Sequence, residues 1–297
     1  MNTLAAVFSV LFGLAFGSFL NVCIWRLPRG ESVVAPRSRC SGCRAPIRSL
    51  DNIPVLSWIL LAGRCRSCGA RIAFRYLLVE AVTGALFLLC FLESGLSLRG
   101  AGSAVLCFLL VGLAAMDAET LLLPDIFTLP GILLGILYTT LTGSGTLAHP
   151  GAGLAAGPDA FAAWRPFGAA GLHPELRAAL GSVLTALAAA GVVLAIRWVY
   201  WLIRRQEGMG LGDVKLMAML GAWFGPAETL LVFFLAVVSG AVYGLAMMAV
   251  EAVRPVPVGG LRRRVTKVPL GAFLCVGGIY TLFWGEETLR WYLNLLL

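Results

Sequence analysis

Long apolar stretches break up this chain, and that pattern limits its possible folds more than any single motif does. Eight stretches stand out: Leu4–Ile24, Tyr76–Leu92, Ser103–Met116, Ile126–Leu141, Ala178–Ile203, Val214–Phe224, Leu230–Val250 and Pro269–Trp284. About 20 apolar residues in a helix cross the hydrocarbon core of a bilayer. A bilayer offers no water to unpaired backbone groups, so stretches of this length cross it as helices. Only 13% of the residues are charged and 59% are hydrophobic, whereas a soluble domain carries roughly 25% charge. The fold class expected is an all-α membrane protein, a polytopic bundle of about eight transmembrane helices with a small zinc-ribbon-like insertion on the cytoplasmic side. The sixth stretch is short and contains glycine, so it is expected to run past Gly225-Pro226 or to be only partly inserted. The first has no basic region before it and runs into functional-looking sequence, so it is expected to stay in the mature protein.

Basic residues concentrate on the cytoplasmic side of membrane proteins. Segment Arg26–Arg75 holds ten arginines and two acids, Arg197–Lys215 holds four basic residues, and Glu251–Val268 holds five. All three fall on one side of an eight-span arrangement, which accounts for 19 of the 23 Lys and Arg. The net charge of +8 therefore speaks of topology and of anionic lipid headgroups. Nucleic acid is excluded as a partner, since the positive charge lies against spans with no recognisable binding fold.

Three regions follow. Residues 1–25 form the first transmembrane helix, 26–75 a basic cytoplasmic segment, and 76–297 a membrane core with an outer loop at about 143–177. That loop is rich in Gly, Ala and Pro and carries His149 and His173, the only histidines, expected to be solvated. No internal repeat is evident.

Cys40-Ser41-Gly42-Cys43 and Cys65-Arg66-Ser67-Cys68 form two CxxC pairs separated by 21 residues. Two such knuckles supply four thiolates for tetrahedral zinc. Gly42 and Gly69 suit tight turns, and Arg39, Arg44, Arg64 and Arg66 favour thiolates over thiols. Disulfides and unmetallated thiols are the alternatives, the first weakened by the reducing cytosol. Cys23, Cys90, Cys107 and Cys275 lie in spans and read as small packing residues.

Two carboxylates stand at the edges of apolar stretches, on the cytoplasmic side. Asp117 opens the run Asp117–Asp125, and Asp213 ends Gly208-Met209-Gly210-Leu211-Gly212-Asp213. An acid at a bilayer edge is costly to keep, and two brought together can share a proton and activate water. The bland reading makes Asp117 and Glu119 interfacial acids and Asp125 a helix cap. The glycines are expected to let helices approach and to allow non-helical backbone beside Asp213. No strand precedes them, so a nucleotide loop is excluded. Lys215 is expected to hold a carboxylate ionised or to snorkel to headgroups. Glu80, inside the second span, suggests a polar interior partner, and Arg197 lies inside the fifth.

Assembled in order, these residues resemble the prepilin peptidases, or type IV leader peptidases, of the GxGD aspartic protease group. The resemblance is carried by Phe16–Pro28, the double CxxC, Asn52–Trp58, Asp117 with Pro124-Asp125, Gly208–Leu216 and Lys267–Phe273. It implies an enzyme of the bacterial inner membrane that removes the basic leader of prepilins and pseudopilins at the cytoplasmic face. It also implies methylation of the new N-terminus with S-adenosylmethionine. By the same resemblance Asp117 and Asp213 are catalytic, and Cys40, Cys43, Cys65 and Cys68 hold zinc or belong to a methylation-associated site. Gly63 and Arg64 are candidates to line the methyl-donor pocket. A transporter or channel, a peptidase lacking the methyltransferase, and a membrane-anchored zinc module without chemistry are the competing readings.

Overall fold

The structure is a computed structural model that describes residues 3–142, 173–206, 209–253 and 268–296. Most of the expected outer loop, including His149, lies outside the described residues, as do Gly208 and Lys267. The described residues are almost wholly helical: α1 Thr3–Arg26, α2 Leu56–Leu60, α3 Phe74–Ser94, α4 Leu98–Thr120, α5 Asp125–Thr142, α6 Pro174–Arg204, α7 Leu211–Trp223, α8 Pro226–Val253 and α9 Leu270–Leu296. Among them there is no strand, only the isolated bridges Arg39–Pro46 and Arg64–Arg71. Six helices, α1, α3, α4, α5, α6 and α8, are long and apolar enough to cross a membrane.

The other two expected spans correspond to α7 and α9. Helix α7 has 13 residues, about 20 Å at 1.5 Å per residue, against a core of about 30 Å. Its surroundings explain how an apolar helix can be so short. Leu216, Met219, Leu220 and Trp223 are all fully buried, so α7 is apolar around its circumference because protein surrounds it. In α9 the apolar run ends at Glu286 and Glu287, followed by Arg290.

The chain divides into two compact units, Met1–Met116 and Asp117–Leu297, at a point inside α4. Helix α3 thus groups with α1 and the cysteine segment. In the first unit α1 meets α3 through glycine. A methyl group at Gly13 would fall 2.8 Å from Gly84 Cα, and one at Gly17 would fall 2.7 Å from Glu80 Cα. This is the Gly-x-x-x-Gly approach of membrane helices, in which small residues let backbones touch. Phe108 of α4 meets Phe16 edge-on at 5.5 Å, and Cys90 and Cys107 pack with their sulfurs 3.9 Å apart. Cys23, Cys90, Cys107 and Cys275 are buried, as packing residues should be.

The second unit is built round α7. Gly221 lets α6 approach within 2.8 Å of where a methyl would sit, and Ser182 Oγ donates to Ala222 O at 2.8 Å. On the α5 side Trp223 stacks on Tyr138 at 5.5 Å, and its Nε1–H donates to Gly131 O at 2.8 Å. These bonds fix the axial position of α7, and therefore of its N-terminal turn.

Candidate functional site

Asp117 occupies the last turn of α4, which closes with Leu121 N–H donating to Asp117 O at 2.9 Å. Leu121 itself has φ +55, turning the chain out of the helix ahead of Pro124. The buried carboxylate of Asp117 reaches the start of α9, where Ala272 N–H donates to its Oδ2 at 2.8 Å. The first amides of a helix have no partner within it, so Asp117 serves α9 as a cap supplied from a distant element. Gly271 makes this approach possible: a methyl there would sit 3.0 Å from Asp117 Cγ.

Asp213 lies in the first turn of α7, a helix outside the six spans, and its Oδ2 accepts from Gly210 N–H at 3.2 Å. Burial pushes its carboxyl up, to about 6; the charge of Asp117 adds to the rise and the Gly210 N–H opposes it. Of the two acids expected to work together, one thus carries a charge that the other feels. Leu123, between α4 and α5, packs against both turns. Methyl groups at Gly212 and Gly271 would fall 3.0 Å and 2.9 Å from it. The close-approach role expected for the motif glycines is therefore met at Gly212. The non-helical backbone expected beside Asp213 is present at Gly210, which is extended (φ −74, ψ 152), a conformation open to any residue.

Lys215 does not serve either of these acids as its partner. Its Nζ donates to Asp125 Oδ1 at 2.6 Å, joining the N-terminal turns of α5 and α7 at an exposed position. Asp125 opens α5, where the helix dipole favours an acid. Sequence reading missed Leu123, Gly271 and Ala272 as partners of the acids. The only signal was their place in the segments Asp117–Asp125 and Lys267–Phe273.

The four cysteines come together in the first unit: the sulfurs of Cys40, Cys43, Cys65 and Cys68 all lie within 4.8 Å of one another. The Cys40 and Cys68 sulfurs are 3.8 Å apart, and zinc with bonds of about 2.3 Å spaces tetrahedral sulfurs by about 3.8 Å. The cysteines are free thiols, so the donor set and spacing fit a tetrahedral metal. The two knuckles repeat each other, a short repeat that sequence reading missed. Cys40 N–H donates to Ala45 O and Arg44 N–H to Cys40 O; correspondingly, Cys65 N–H donates to Ala70 O and Gly69 N–H to Cys65 O. Arg44 (φ +57) and Gly69 (φ +70) hold the same left-handed place after each pair. The N–H groups of Cys68 and Ser67 hold the Cys65 thiol down to about 6. Cys68 feels first the lowering N–H of Ala70, yet the neighbouring thiols and burial push it up to about 11. Four close sulfurs do not ionise together without a cation.

Gly63 has φ +65, and a methyl there would fall 2.8 Å from the Trp58 ring. The turn therefore accounts for this glycine without any cofactor. Arg64 is exposed and pairs its backbone with Arg71. Asp51 accepts both Nε–H and Nη2–H of Arg66 at 2.7–3.1 Å, tying the second knuckle to the segment before α2. Glu80, buried in α3, has the polar interior partner its position suggested. Val55 N–H donates to its Oε2 at 2.7 Å, and Ser18 and Asn21 hydrogen-bond to it from α1. Val55 has φ +62, a costly conformation for a β-branched residue. The Glu80 bond is one contact that holds it there.

Comparison with known proteins agrees with this architecture. Residues 11–94 match the bacterial peptidase A24 N-terminal domain, and residues 104–245 match the type IV leader peptidase family. The chain is 31% identical over 312 residues to a prepilin leader peptidase/N-methyltransferase of Aeromonas salmonicida (strain A449), covering 97% of this chain and 93% of that protein. It is 34% identical to the type 4 prepilin-like proteins leader peptide-processing enzyme of Escherichia coli O78:H11 (strain H10407 / ETEC), covering 93% of each. A prepilin leader peptidase/N-methyltransferase of Burkholderia pseudomallei (strain 1026b) is 35% identical over 94% of this chain and 85% of that protein. No solved structure matches the chain. With both family regions in order, similarity over nearly its whole length, and six helices fit to cross a membrane, the chain is a multi-pass membrane protein that belongs to the type IV leader peptidase family.

Proposed function

We propose that this protein cleaves the basic leader from type IV prepilins and pseudopilins and then methylates the amine that cleavage exposes. The observation that carries the peptidase reading is the pair Asp117 and Asp213, each set in a helix-terminal turn within the second unit, with the charge of Asp117 acting on Asp213. One carboxylate takes a proton from water as its oxygen adds to the scissile carbonyl, while the protonated partner gives its proton to the carbonyl oxygen. The resulting diol collapses, its C–N bond breaks, and the nitrogen leaves as an amine with a proton from the dyad. Asp117 and Asp213 are the catalytic residues on this reading. The distribution of Lys and Arg supports an active site on the cytoplasmic face of the inner membrane.

S-adenosylmethionine, when bound, supplies an electrophilic methyl group to that amine. Gly63 and Arg64 are the candidates to line its pocket, and Gly63 also shapes the turn beneath Trp58. Cys40, Cys43, Cys65 and Cys68 would hold zinc. Four thiolates leave no open coordination position, so the metal would fix the two knuckles rather than take part in bond making. An ion transporter is not favoured, because the chain belongs to a peptidase family. A peptidase without methyl transfer is the reading to test against.

The test is mass spectrometry of the N-terminus of a prepilin incubated with purified protein and methyl donor. We expect removal of the leader and addition of one methyl group. Asp117→Asn and Asp213→Asn should each abolish leader removal while still methylating a pre-cleaved pilin. Full cleavage by either variant removes that aspartate from the dyad. Cleavage by the wild type without methylation confines the function to the peptidase.

A further inference from the structure

We propose that α2 lies in the lipid interface, with Leu56, Ile59 and Leu60 facing acyl chains and the surrounding arginines facing anionic headgroups. The first unit contains the necessary geometry. Helix α3 begins at Phe74, and Glu80 stands six residues further on, about 9 Å along its axis. Val55 N–H donates to Glu80 Oε2 at 2.7 Å, so the residue just before α2 lies alongside the second turn of α3 and not beyond its end. Trp58 reinforces the placement: its ring meets that of Phe74 edge-on at 5.9 Å, and its Nε1–H donates to Ile72 O at 3.4 Å. Because α3 is a helix fit to cross a membrane, α2 is held at the depth where that helix enters.

The two faces of α2 differ accordingly. Ser57 is buried, donating to Leu50 O and accepting from Ile53 N–H, both at 2.9 Å. By contrast Leu56, Ile59 and Leu60 are 49%, 58% and 74% exposed. Positions spaced by three and four residues share one helix face, and all three are large and aliphatic. Leu50, six residues before Leu56, is 79% exposed. Leu78, on the next turn of α3 beyond Phe74, is half exposed too.

Charge supplies the second half of the argument. Arg48, Arg64 and Arg71 are exposed around α2, within a segment of ten arginines and two acids. One of those acids, Asp51, is already paired with Arg66. An apolar face flanked by arginines is the pattern of elements that lie in the plane of an anionic interface. The occupant argued for is lipid; a prepilin helix docking on the same face is the competing outcome.

The experiment uses the full-length protein in nanodiscs containing phosphatidylglycerol, without substrate. A spin label at Leu60→Cys is compared with one at Glu31→Cys, an exposed residue before the cysteine knuckles; labelled wild type supplies the background. We expect collisions with a water-soluble nickel chelate to be several-fold rarer at residue 60 than at residue 31, and collisions with oxygen to be more frequent. Equal nickel access at the two sites overturns the proposal. Access at residue 60 that falls only when a prepilin is added also overturns it, in favour of substrate docking. If the cysteine variant does not reconstitute, the unmodified protein is photolysed with a phospholipid carrying a diazirine in its acyl chain. Adducts within residues 50–60 support the proposal, and adducts confined to the spanning helices overturn it.

Discussion

The two units place their chemistry-bearing residues by opposite means. In the first, each cysteine knuckle is organised within a few residues, by turns that pair Cys40 with Ala45 and Cys65 with Ala70. In the second, Asp117 is held by Ala272, 155 positions away in the chain, and Leu123 wedges between Gly212 and Gly271. The first kind of site needs little beyond its own loops. The second exists only if α4, α7 and α9 are packed together. A lesion in packing should therefore spare metal binding and damage cleavage, and a lesion in a thiol should do the reverse.

The largest effect that would sharpen this contrast is on the metal. Cys40→Ser or Cys68→Ser should remove most of the one zinc per chain expected by elemental analysis, because three thiolates leave the tetrahedral site incomplete. Unchanged zinc content would detach the cysteines from the metal site. No zinc in the wild type, with a mass showing two intact disulfides, would replace the metal reading altogether.

Next comes Gly271→Ala. The added methyl would press on the Asp117 carboxyl at about 3.0 Å, displacing it from Ala272. A displacement of about 1 Å at a reacting group can cost on the order of 100-fold in rate. Cleavage should drop by about that factor with zinc content unchanged. If zinc falls in parallel, the two units are not independent in the way the contrast requires.

A tenfold loss per pH unit is expected on the alkaline side of the cleavage profile. Asp213 is raised from the usual carboxylate range to about 6, so folding favours its protonated form. That contribution to stability is complete below the unfolded value and is lost as pH rises through about 6. A dyad that works with one shared proton loses it over the same window, so the fall should begin near pH 6. A pH–rate profile flat from there to well above neutrality would contradict the shared-proton assignment.

The smallest effect is expected for Asp125→Asn. Its ion pair with Lys215 is largely exposed, and such pairs contribute up to about 1 kcal/mol. Cleavage should change by no more than about five-fold. Total loss would place Asp125 in the machinery and break the distinction between an outer ion pair and the inner acids.

Much of this molecule was legible because its signals are local. Apolar length marked eight stretches, six of which are helices fit to cross a membrane, and paired cysteines with glycine-bearing turns indicated a metal-type cluster. Pro124 marked the break before α5, and two acids at span edges pointed to the candidate dyad. The physical reason is that bilayer insertion and tight turns depend on residues near one another in sequence. Tertiary structure alone decided the rest. It showed why α7 can be 13 residues long: an apolar helix encased in protein need not match the thickness of a membrane. It assigned Lys215 to Asp125, gave Asp117 its amide donor, and set Glu80 beneath the strained Val55. Those choices depend on which helices touch and at what height, and close contacts between backbone and glycine leave almost no trace in composition or periodicity.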